Sequence, residues 1–308
     1  MRKEINMFNI RHLVITGLIA LLFQLPIIAG QAGAAEITTK VADGIYAYSP
    51  GDGYISMFVV TSDGVVAVEP VNTKHAEGML KAIKAITDKP VRYLLHTHNH
   101  WDHSGGGKVF RNVGAKILAH EEAYAWMKAN PHRDMVLPDE AWNGKRKDIK
   151  LGDTTIEMHY IGMSHGLGMT VIRVLPQKVV YIADVVTPKR VLFTIVPDFN
   201  IKEMVRALTD IEKMEFSRAI FSHTQADSVI GSKADVIEAR EFIQDLQRAI
   251  VAEFKKGTNF GKIPQVVKLP KYKAWAMYKE WLPMNTWRVM LDMYMGPFPW
   301  RPARNFEK

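Results

Sequence analysis

The 308-residue chain contains no cysteine. This absence excludes disulfide bonds and a cysteine nucleophile, and it restricts any metal site to ligands other than thiolate. Internal repeats and low-complexity segments are also absent, while 47% of the residues are hydrophobic and 23% are charged. These values exclude a disulfide-stabilised miniprotein, a collagen and a low-complexity chain. The length allows one large domain or two modest ones.

Acidic residues are fewer than basic ones, 32 against 40, which gives a formal net charge of +8. Residues 1–35 carry +2 and residues 255–308 carry +8, so −2 remains for residues 36–254. A basic protein can bind nucleic acid or membranes through its field, but here the basicity belongs to the two ends. We therefore expect three parts: an N-terminal segment 1–35, a central domain 36–254 and a C-terminal extension 255–308.

The N-terminal part has the layout of a secretory signal peptide. A basic stretch at residues 1–12 precedes the apolar run Leu13–Ile28, and Ala32-Gly33-Ala34 fits the small-x-small rule for signal peptidase. The apolar run is shorter than the roughly 20 residues of a membrane-spanning helix. We predict cleavage after Ala34 or Ala35 and a periplasmic or secreted protein; an uncleaved membrane anchor is the alternative.

The remainder alternates short runs rich in β-branched and aromatic residues with amphipathic stretches. Strands are predicted at Gly44–Ser49, Tyr54–Thr61, Val65–Pro70, Val91–Leu95, Thr155–Tyr160, Met169–Leu175, Val179–Ile182 and Ala219–Phe221. Helices are predicted at Thr73–Thr87, Glu121–Asn130, Ile201–Met214 and Ser232–Phe254. This alternation indicates a layered α/β domain.

A histidine cluster directly follows the predicted strand Val91–Leu95. Residues 96–103 hold four of the eleven histidines of the chain together with Asp102. In an extended segment, His98 and His100 project to the same side and can chelate one ion, while Asp102 and His103 turn toward a neighbouring ion. Imidazole and carboxylate ligands suit zinc or iron.

In this segment the sequence resembles the metallo-β-lactamase-fold hydrolase superfamily. The superfamily signature stands here as His98, His100, Asp102, His103, Gly105 and Gly106. The resemblance covers about residues 40 to 225 and implies a four-layer αββα sandwich. It also implies three further ligands, each after a glycine or a hydrophobic strand: His165, Asp184 and His223.

The family pattern is not followed in every detail around these ligands. Ala183 precedes Asp184 where glycine is common, and Ser222 precedes His223 where glycine is frequent. Gly166 follows His165 where many relatives carry an acidic or hydroxyl residue, so a contact to substrate or to a ligand can differ there. None of these departures removes a ligand.

The resemblance implies a site for two divalent metal ions, with zinc expected and iron or manganese also compatible. Three groups of ligands are expected: His98, His100 and His165 on the first ion, Asp102, His103 and His223 on the second, and Asp184 as the bridge. Water between two such ions loses a proton near neutral pH and becomes the nucleophile. Asp102 is the expected catalytic residue, because it can orient this hydroxide as well as bind the metal.

The expected reaction is hydrolysis of an ester-like carbonyl bond in a small-molecule substrate. Lactams, lactones and thioesters are the leading substrates, since this fold serves many chemistries. A phosphodiesterase-type metallohydrolase is the alternative enzyme. A non-catalytic metal-binding protein on the same fold is the alternative from a different class.

Several other residues invite functional interpretations that the sequence leaves open. His96 is expected to be structural or to support a ligand, and His159 to be structural or exposed. Surface positions are expected for His75, His120 and His132. Trp101 either lines the mouth of the pocket or packs below it. The segment Pro131–Lys150, which contains Trp142, is expected to be a substrate flap or a plain surface loop.

The C-terminal extension combines eleven basic residues with ten aromatic ones, including Trp287 and Trp300. Within Lys271–Leu282, Tyr272, Trp275, Tyr278 and Trp281 recur every three residues, which predicts a helix. We expect the extension to pack on the domain. A membrane-surface contact or a dimer contact is the alternative, and no nucleic-acid partner is expected.

Overall fold

The structure of the chain is a computed structural model, and it describes residues 37–195 and 197–296. The predicted signal peptide and Trp300 lie outside these residues. The strands are β1 (Ile37–Ala42), β2 (Ile45–Ser49), β3 (Ser56–Val60), β4 (Val65–Val68), β5 (Val91–Leu95), β6 (Lys116–His120), β7 (Glu140–Trp142), β8 (Arg146–Leu151), β9 (Thr154–Tyr160), β10 (Thr170–Leu175), β11 (Val179–Ile182), β12 (Arg218–Phe221) and β13 (Ile230–Gly231).

The helices connect or cover these strands. They are α1 (Thr73–Ile86), α2 (Trp101–Ser104), α3 (Gly107–Arg111), α4 (Glu121–Ala129), α5 (Ile201–Lys213), α6 (Lys233–Lys255), α7 (Ile263–Val266) and α8 (Tyr278–Met295). Their first turns are capped by side chains where the sequence offers them. Asn72 accepts from the backbone N–H of His75 at the start of α1, and Ser232 forms a capping box with Asp235 at the start of α6.

The first sheet has the strand order β1-β2-β3-β4-β5-β6-β7. Strands β1 to β4 are antiparallel neighbours because short turns join them, whereas β4 to β7 are parallel neighbours. Helix α1 makes the crossover from β4 to β5, as a parallel connection requires. The carboxyl ends of β4 and β5 therefore lie at the same edge of the sheet.

The second sheet has the order β13-β12-β11-β10-β9-β8. Strands β8 to β11 form an antiparallel meander, and β12 pairs in parallel with β11 after the crossover through α5. The carboxyl ends of β11 and β12 also share one edge.

Buried residues form three main clusters that define four layers. One cluster joins the facing sides of the two sheets and includes Met57, Met158 and Tyr181. A second lies between the first sheet and helices α1 and α3, and a third lies between the second sheet and helices α5, α6 and α8. The expected αββα sandwich is confirmed.

The C-terminal residues that the structure describes belong to the third cluster. Tyr272 and Leu282 are buried in it, and Trp275, Trp281 and Trp287 pack against it while partly exposed. The predicted helix Lys271–Leu282 is wrong in its start, because α8 begins at Tyr278. Met277, the residue before it, has a φ of 60°, and this left-handed conformation interrupts any helix from the preceding turn.

Two predictions about single residues and one about a segment are wrong. His75 and His120 are buried rather than at the surface, because His75 hydrogen-bonds Ser56 and Asp52 and His120 stacks on Tyr160. The segment Pro131–Lys150 is neither a flap nor a plain surface loop, because it contains β7 and most of β8. Trp142 ends β7 and packs in the cluster between the sheets, 4% exposed.

No helix in the described part of the chain is both long and apolar enough to cross a membrane.

Candidate metal centre

The predicted ligands meet where the strands of both sheets end. His98 and His100 follow β5, Asp184 follows β11 and His223 follows β12, while His165 lies between β9 and β10. Because parallel strands end at the same edge, the two sheets deliver these side chains to one place. The alternation of strands and crossovers thus builds a cluster from segments far apart in sequence.

The Asp184 carboxylate is the centre of this cluster. Its Oδ2 atom lies 3.0 Å from Nε2 of His165, 3.1 Å from Nε2 of His103 and 3.3 Å from Nε2 of His98. Its Oδ1 atom lies 3.3 Å from Nε2 of His223. Both carboxylate oxygens therefore face imidazole nitrogens, which is the arrangement that a bridging carboxylate requires.

Two groups of possible ligands share Asp184. One contains His98, His100, His165 and Asp184, and the other contains His103, Asp184 and His223. The ring centroid of His100 lies 4.6 Å from that of His98 and 4.7 Å from that of His165. The structure thus brings six of the seven predicted ligands into these two groups.

Asp102 stands at the margin of the second group. Its Oδ2 atom lies 3.7 Å from Nε2 of His103, and its side chain is 59% exposed. The Tyr54 hydroxyl donates to the same oxygen at 2.9 Å. Burial and the carboxylates of Asp102 and Asp184 raise the pKa of Tyr54, so this hydroxyl keeps its proton and donates.

Asp184 is held in an unusual backbone conformation. Its φ is 56°, and the hydroxyl of Ser222 both donates to Asp184 Oδ1 at 2.8 Å and accepts from its backbone N–H at 3.1 Å. The Ser222 hydroxyl therefore fixes the central carboxylate through two hydrogen bonds that a glycine could not make. Burial alone would raise the pKa of Asp184, but His103, His165 and His223 lower it well below its ordinary value.

Gly166 also has a structural reason to be glycine. Its φ is +70°, and a Cβ there would lie 2.9 Å from Asn99 Oδ1 and 3.2 Å from His100 Nε2. Asn99 Oδ1 in turn accepts from the backbone N–H of Leu167 at 2.5 Å. A larger residue after His165 would displace a neighbouring ligand.

Glu69 is a buried carboxylate that sequence reasoning missed. Its Oε2 atom accepts from Nδ1 of His103 at 3.0 Å and from the hydroxyl of Tyr181 at 2.6 Å, while Thr97 donates to its Oε1 atom. Glu69, His98 and His103 form a third group that could hold an ion. The bonds to Nδ1 nevertheless aim Nε2 of His103 at Asp184, so Glu69 is placed to orient this ligand. The available signal was an acidic residue directly after the apolar run 65–68.

Asp198 plays the corresponding part for His100 and was also missed. Its Oδ2 atom lies 2.7 Å from Nε2 of His100, which leaves Nδ1 of that ring for the cluster. Although burial alone lowers the pKa of His100, the hydrogen bond to Asp198 raises it. Asp198 lies in the loop that joins β11 to α5, and no motif in the sequence marks it.

The same loop, residues 183–200, carries a partly buried cation beside the cluster. Arg190 and Asp184 line one narrow cavity together with Phe193, Phe199 and other apolar residues. The guanidinium donates to Thr187 Oγ1 at 3.1 Å, its Nε atom is buried without a hydrogen bond, and no carboxylate of residues 37–195 or 197–296 pairs with it. Burial lowers the pKa of Arg190.

The donor set fits divalent metal ions. Burial lowers the pKa of His98 to about 4, which favours the neutral imidazole that can bind a metal. Its Nε2 atom is buried and makes no hydrogen bond within the described residues. This nitrogen faces Asp184 and is available as a metal ligand. With Asp184 between the two groups, the chain offers nitrogen and oxygen ligands of the kind that zinc, iron and manganese accept.

Comparison with known proteins agrees with this geometry. Residues 50–223 match the family model of the metallo-beta-lactamase superfamily. The match covers more than half of the chain and ends at His223, the last predicted ligand. The chain therefore belongs to the metallo-beta-lactamase superfamily.

Two curated relatives show the range of activities nearby. The chain is 32% identical over 152 residues to the 2,4-dinitroanisole O-demethylase subunit alpha of Nocardioides sp. (strain JS1661), covering 48% of this chain and 46% of that protein. It is 26% identical over 145 residues to the metallo-beta-lactamase type 2 of Elizabethkingia meningoseptica, covering 44% of this chain and 56% of that one. The chain thus spans about half the length of each relative.

Solved structures show the same fold. A metallo-beta-lactamase from Pontibacter korlensis matches with a TM-score of 0.59 at 18% identity, over 68% of this chain and 99% of that one. The sec-alkylsulfatase Pisa1 from Pseudomonas sp. matches with a TM-score of 0.69 at 15% identity, over 85% of this chain and 50% of that one. At these identities the likeness concerns the fold.

Proposed function

We propose that the protein uses two divalent metal ions, with zinc expected, to hydrolyse an ester-like carbonyl bond of a lactam, lactone or thioester. One observation carries this proposal: the Asp184 carboxylate lies between four imidazole Nε2 atoms at 3.0–3.3 Å and is shared by two ligand groups. A shared carboxylate is what two adjacent ions need.

Each side of the cluster has a defined part in this proposal. His98, His100 and His165 would hold the first ion, and His103 and His223 with Asp102 would hold the second. The ions would supply Lewis acidity toward the carbonyl oxygen and would acidify a water molecule. Asp102 is exposed toward solvent and fixed by Tyr54, so its carboxylate can orient the attacking water and accept a proton.

The surroundings of the site support a substrate that is mostly apolar and carries one anionic group. Phe193 and Met163 are exposed apolar side chains in the segments that carry Arg190 and His165. Arg190 is the one cation among the described residues that line the cavity at Asp184. A guanidinium with free donors binds a carboxylate or another oxyanion in a forked geometry.

The same observation gives no support to a phosphodiesterase that acts on nucleic acid. An enzyme that acts on a nucleic-acid backbone needs several cations along the path of the phosphates, and the described cavity offers one. The two curated relatives are named for a β-lactamase and for demethylation of 2,4-dinitroanisole. A β-lactam and 2,4-dinitroanisole therefore belong in the substrate panel.

The test is a hydrolysis assay on purified, zinc-loaded protein. The panel contains nitrocefin, an acyl-homoserine lactone, S-lactoylglutathione, 2,4-dinitroanisole and bis(4-nitrophenyl) phosphate. We expect turnover of at least one of the first three, loss of turnover with EDTA and recovery with zinc. Asp184→Asn should lower kcat/KM by at least about 100-fold, because replacing even a residue that supports a ligand costs 10- to 100-fold.

Two results would contradict the proposal. Turnover of the phosphate diester alone would favour the phosphodiesterase alternative. Turnover of a carbonyl substrate that persists in a His98→Ala, His100→Ala double variant depleted of metal would exclude the proposed site.

A further inference from the structure

The loop between β2 and β3, residues 50–55, contacts the three residues that are predicted to hold the second ion together with Asp184. The backbone carbonyl of Gly53 accepts from Nδ1 of His223 at 2.6 Å, and the Tyr54 hydroxyl donates to Asp102 Oδ2 at 2.9 Å. The Tyr54 ring also packs against His223 and His103, with centroids 4.7 Å and 5.3 Å apart. All of these contacts are made with residues that would hold the second ion.

The first group receives no comparable contact from this loop. Within the described residues, no hydrogen bond or ring contact joins residues 50–55 to His98, His100 or His165. His100 is oriented instead by Asp198, from the opposite loop. The two groups of ligands are therefore supported by different parts of the chain.

A hydrogen-bond chain, buried from His75 inward, anchors the loop. Asp52 Oδ1 accepts from the backbone N–H of Tyr54 at 3.0 Å, and Asp52 Oδ2 lies 2.9 Å from Nδ1 of the buried His75. Nε2 of His75 lies 2.8 Å from Ser56 Oγ, whose hydroxyl donates to the Glu69 carbonyl at 2.5 Å. The chain thus runs from the loop to the end of β4.

The partners of His75 indicate the direction of these bonds. Ser56 has one hydroxyl proton, and it points to the Glu69 carbonyl, so Nε2–H of His75 must donate to Ser56. Nδ1 faces a carboxylate, which only accepts, so Nδ1–H must donate to Asp52. Both ring nitrogens of His75 are thus engaged, Nδ1 with Asp52 and Nε2 with Ser56. In agreement, burial raises the pKa of Asp52 less than the bonds from His75 and Tyr54 lower it.

Ser56, His75 and Asp52 have the order and spacing of a nucleophilic triad, but they cannot act as one. The side chain of Ser56 is fully buried, and its hydroxyl proton is already used by the Glu69 carbonyl. A serine nucleophile must reach its substrate. The three residues are available for a positioning role only.

We propose that the Asp52–His75 pair is a positioning device for the second metal ion. By fixing residues 50–55, it sets the orientation of His223 and Asp102, and so it determines the affinity of the second ion while the first ion is unaffected. The inference rests on the two-ion site of the proposed function.

The test measures the affinity of metal-depleted protein for each zinc ion by isothermal titration calorimetry. Absorption spectra of the cobalt-loaded protein are a second readout. In Asp52→Ala, we expect the second ion to bind 10- to 100-fold more weakly, as for other residues that orient ligands. The first ion should bind within about threefold of its affinity in the parent protein. Asp52 is 35% exposed, so the truncation leaves the core intact.

Two further variants separate a loss of ligand positioning from a general loss of stability. Asp52→Asn keeps an oxygen that accepts from the backbone N–H of Tyr54, and its amide NH2 can donate to Nδ1 of a neutral His75, so it should restore most of the second affinity. Asp43→Ala removes an exposed carboxylate near the end of β1 that pairs with Lys40, and it should leave both affinities unchanged. If Asp52→Ala proves unstable, Tyr54→Phe removes only the bond to Asp102 and should weaken the second ion alone.

The outcomes are distinguishable. Equal weakening of both ions, or no weakening, in Asp52→Ala would overturn the positioning role while leaving the two-ion site intact. Failure of the parent protein to bind two ions would instead overturn the proposed function.

Discussion

Two carboxylates of the site, Glu69 and Asp184, follow buried strands and adopt left-handed backbone conformations, with φ values of 59° and 56°. A non-glycine residue in this region costs roughly 1–3 kcal/mol. Neighbouring contacts hold each one: Thr97, Tyr181 and His103 bind the Glu69 side chain, and Ser222 binds Asp184. The strain is concentrated at the groups that organise the imidazoles.

Arg190 gives a prediction at the residue scale. Replacing it with methionine removes the charge and keeps much of the length. With an anionic ester such as mono(4-nitrophenyl) glutarate, we expect KM to rise about tenfold or more, because a hydrogen bond to a charged group contributes about 1.5–3 kcal/mol. With the neutral 4-nitrophenyl pentanoate, KM should change less than about twofold.

The neighbouring Lys189→Met is the matched control, since Lys189 is exposed and pairs with Glu238 rather than facing the cavity. It should leave both KM values unchanged. Equal changes with the anionic and the neutral ester in Arg190→Met would show that Arg190 supports packing and does not bind an anion.

At the scale of elements, α8 supports the active-site loop 183–200. The Asn285 amide donates to the carbonyls of Leu192 at 3.0 Å and Thr194 at 2.7 Å, and Arg288 donates to the carbonyl of Phe199. The Phe199 ring lies 4.8 Å from that of His165. The C-terminal extension is thereby connected to the first ligand group through this loop.

Asn285→Ala tests this connection. The substitution leaves two carbonyls without their donor, so we expect the free energy of unfolding in urea to fall by about 1–3 kcal/mol and protease cleavage within the loop to accelerate. Met284→Ala is the control, because Met284 is the adjacent residue and is 41% exposed. Equal loop cleavage in the two variants would contradict the role of α8.

The sequence predicted elements of this kind unevenly, for physical reasons. Helix α5 and strand β11 have strong periodicity, and both lie close to their predicted positions. Strand β8 was missed because its residues are mostly polar and partly exposed, so the sequence shows no apolar periodicity there. The start of α8 was misplaced because the aromatic spacing continues through Met277, where the backbone turns into a left-handed conformation.

The candidate ligands were predictable because they occupy strand ends and one dense motif. Glu69, Asp198 and Arg190 were not, since each is a single charged residue whose role depends on which strands and loops meet in three dimensions. His75 was misassigned for the same reason: its partners Asp52 and Ser56 lie 23 and 19 residues away.

At the scale of the whole molecule, two sheets supply one site from opposite sides of a shared core. The net charge of +8 lies mainly in residues 255–308, of which the described part packs on the second sheet and presents lysines outward. Export, the membrane-surface or dimer contact and the absence of a nucleic-acid partner stay predictions. The absence of cysteine leaves histidine and carboxylate as the ligands at the centre of the molecule.

The most direct test of the two-ion site is the metal content of the purified protein. After expression in zinc-supplemented medium, elemental analysis should give two ions per chain. Asp184→Asn should retain fewer than two, because the shared carboxylate is weakened. One ion or fewer in the parent protein would contradict the two-ion site.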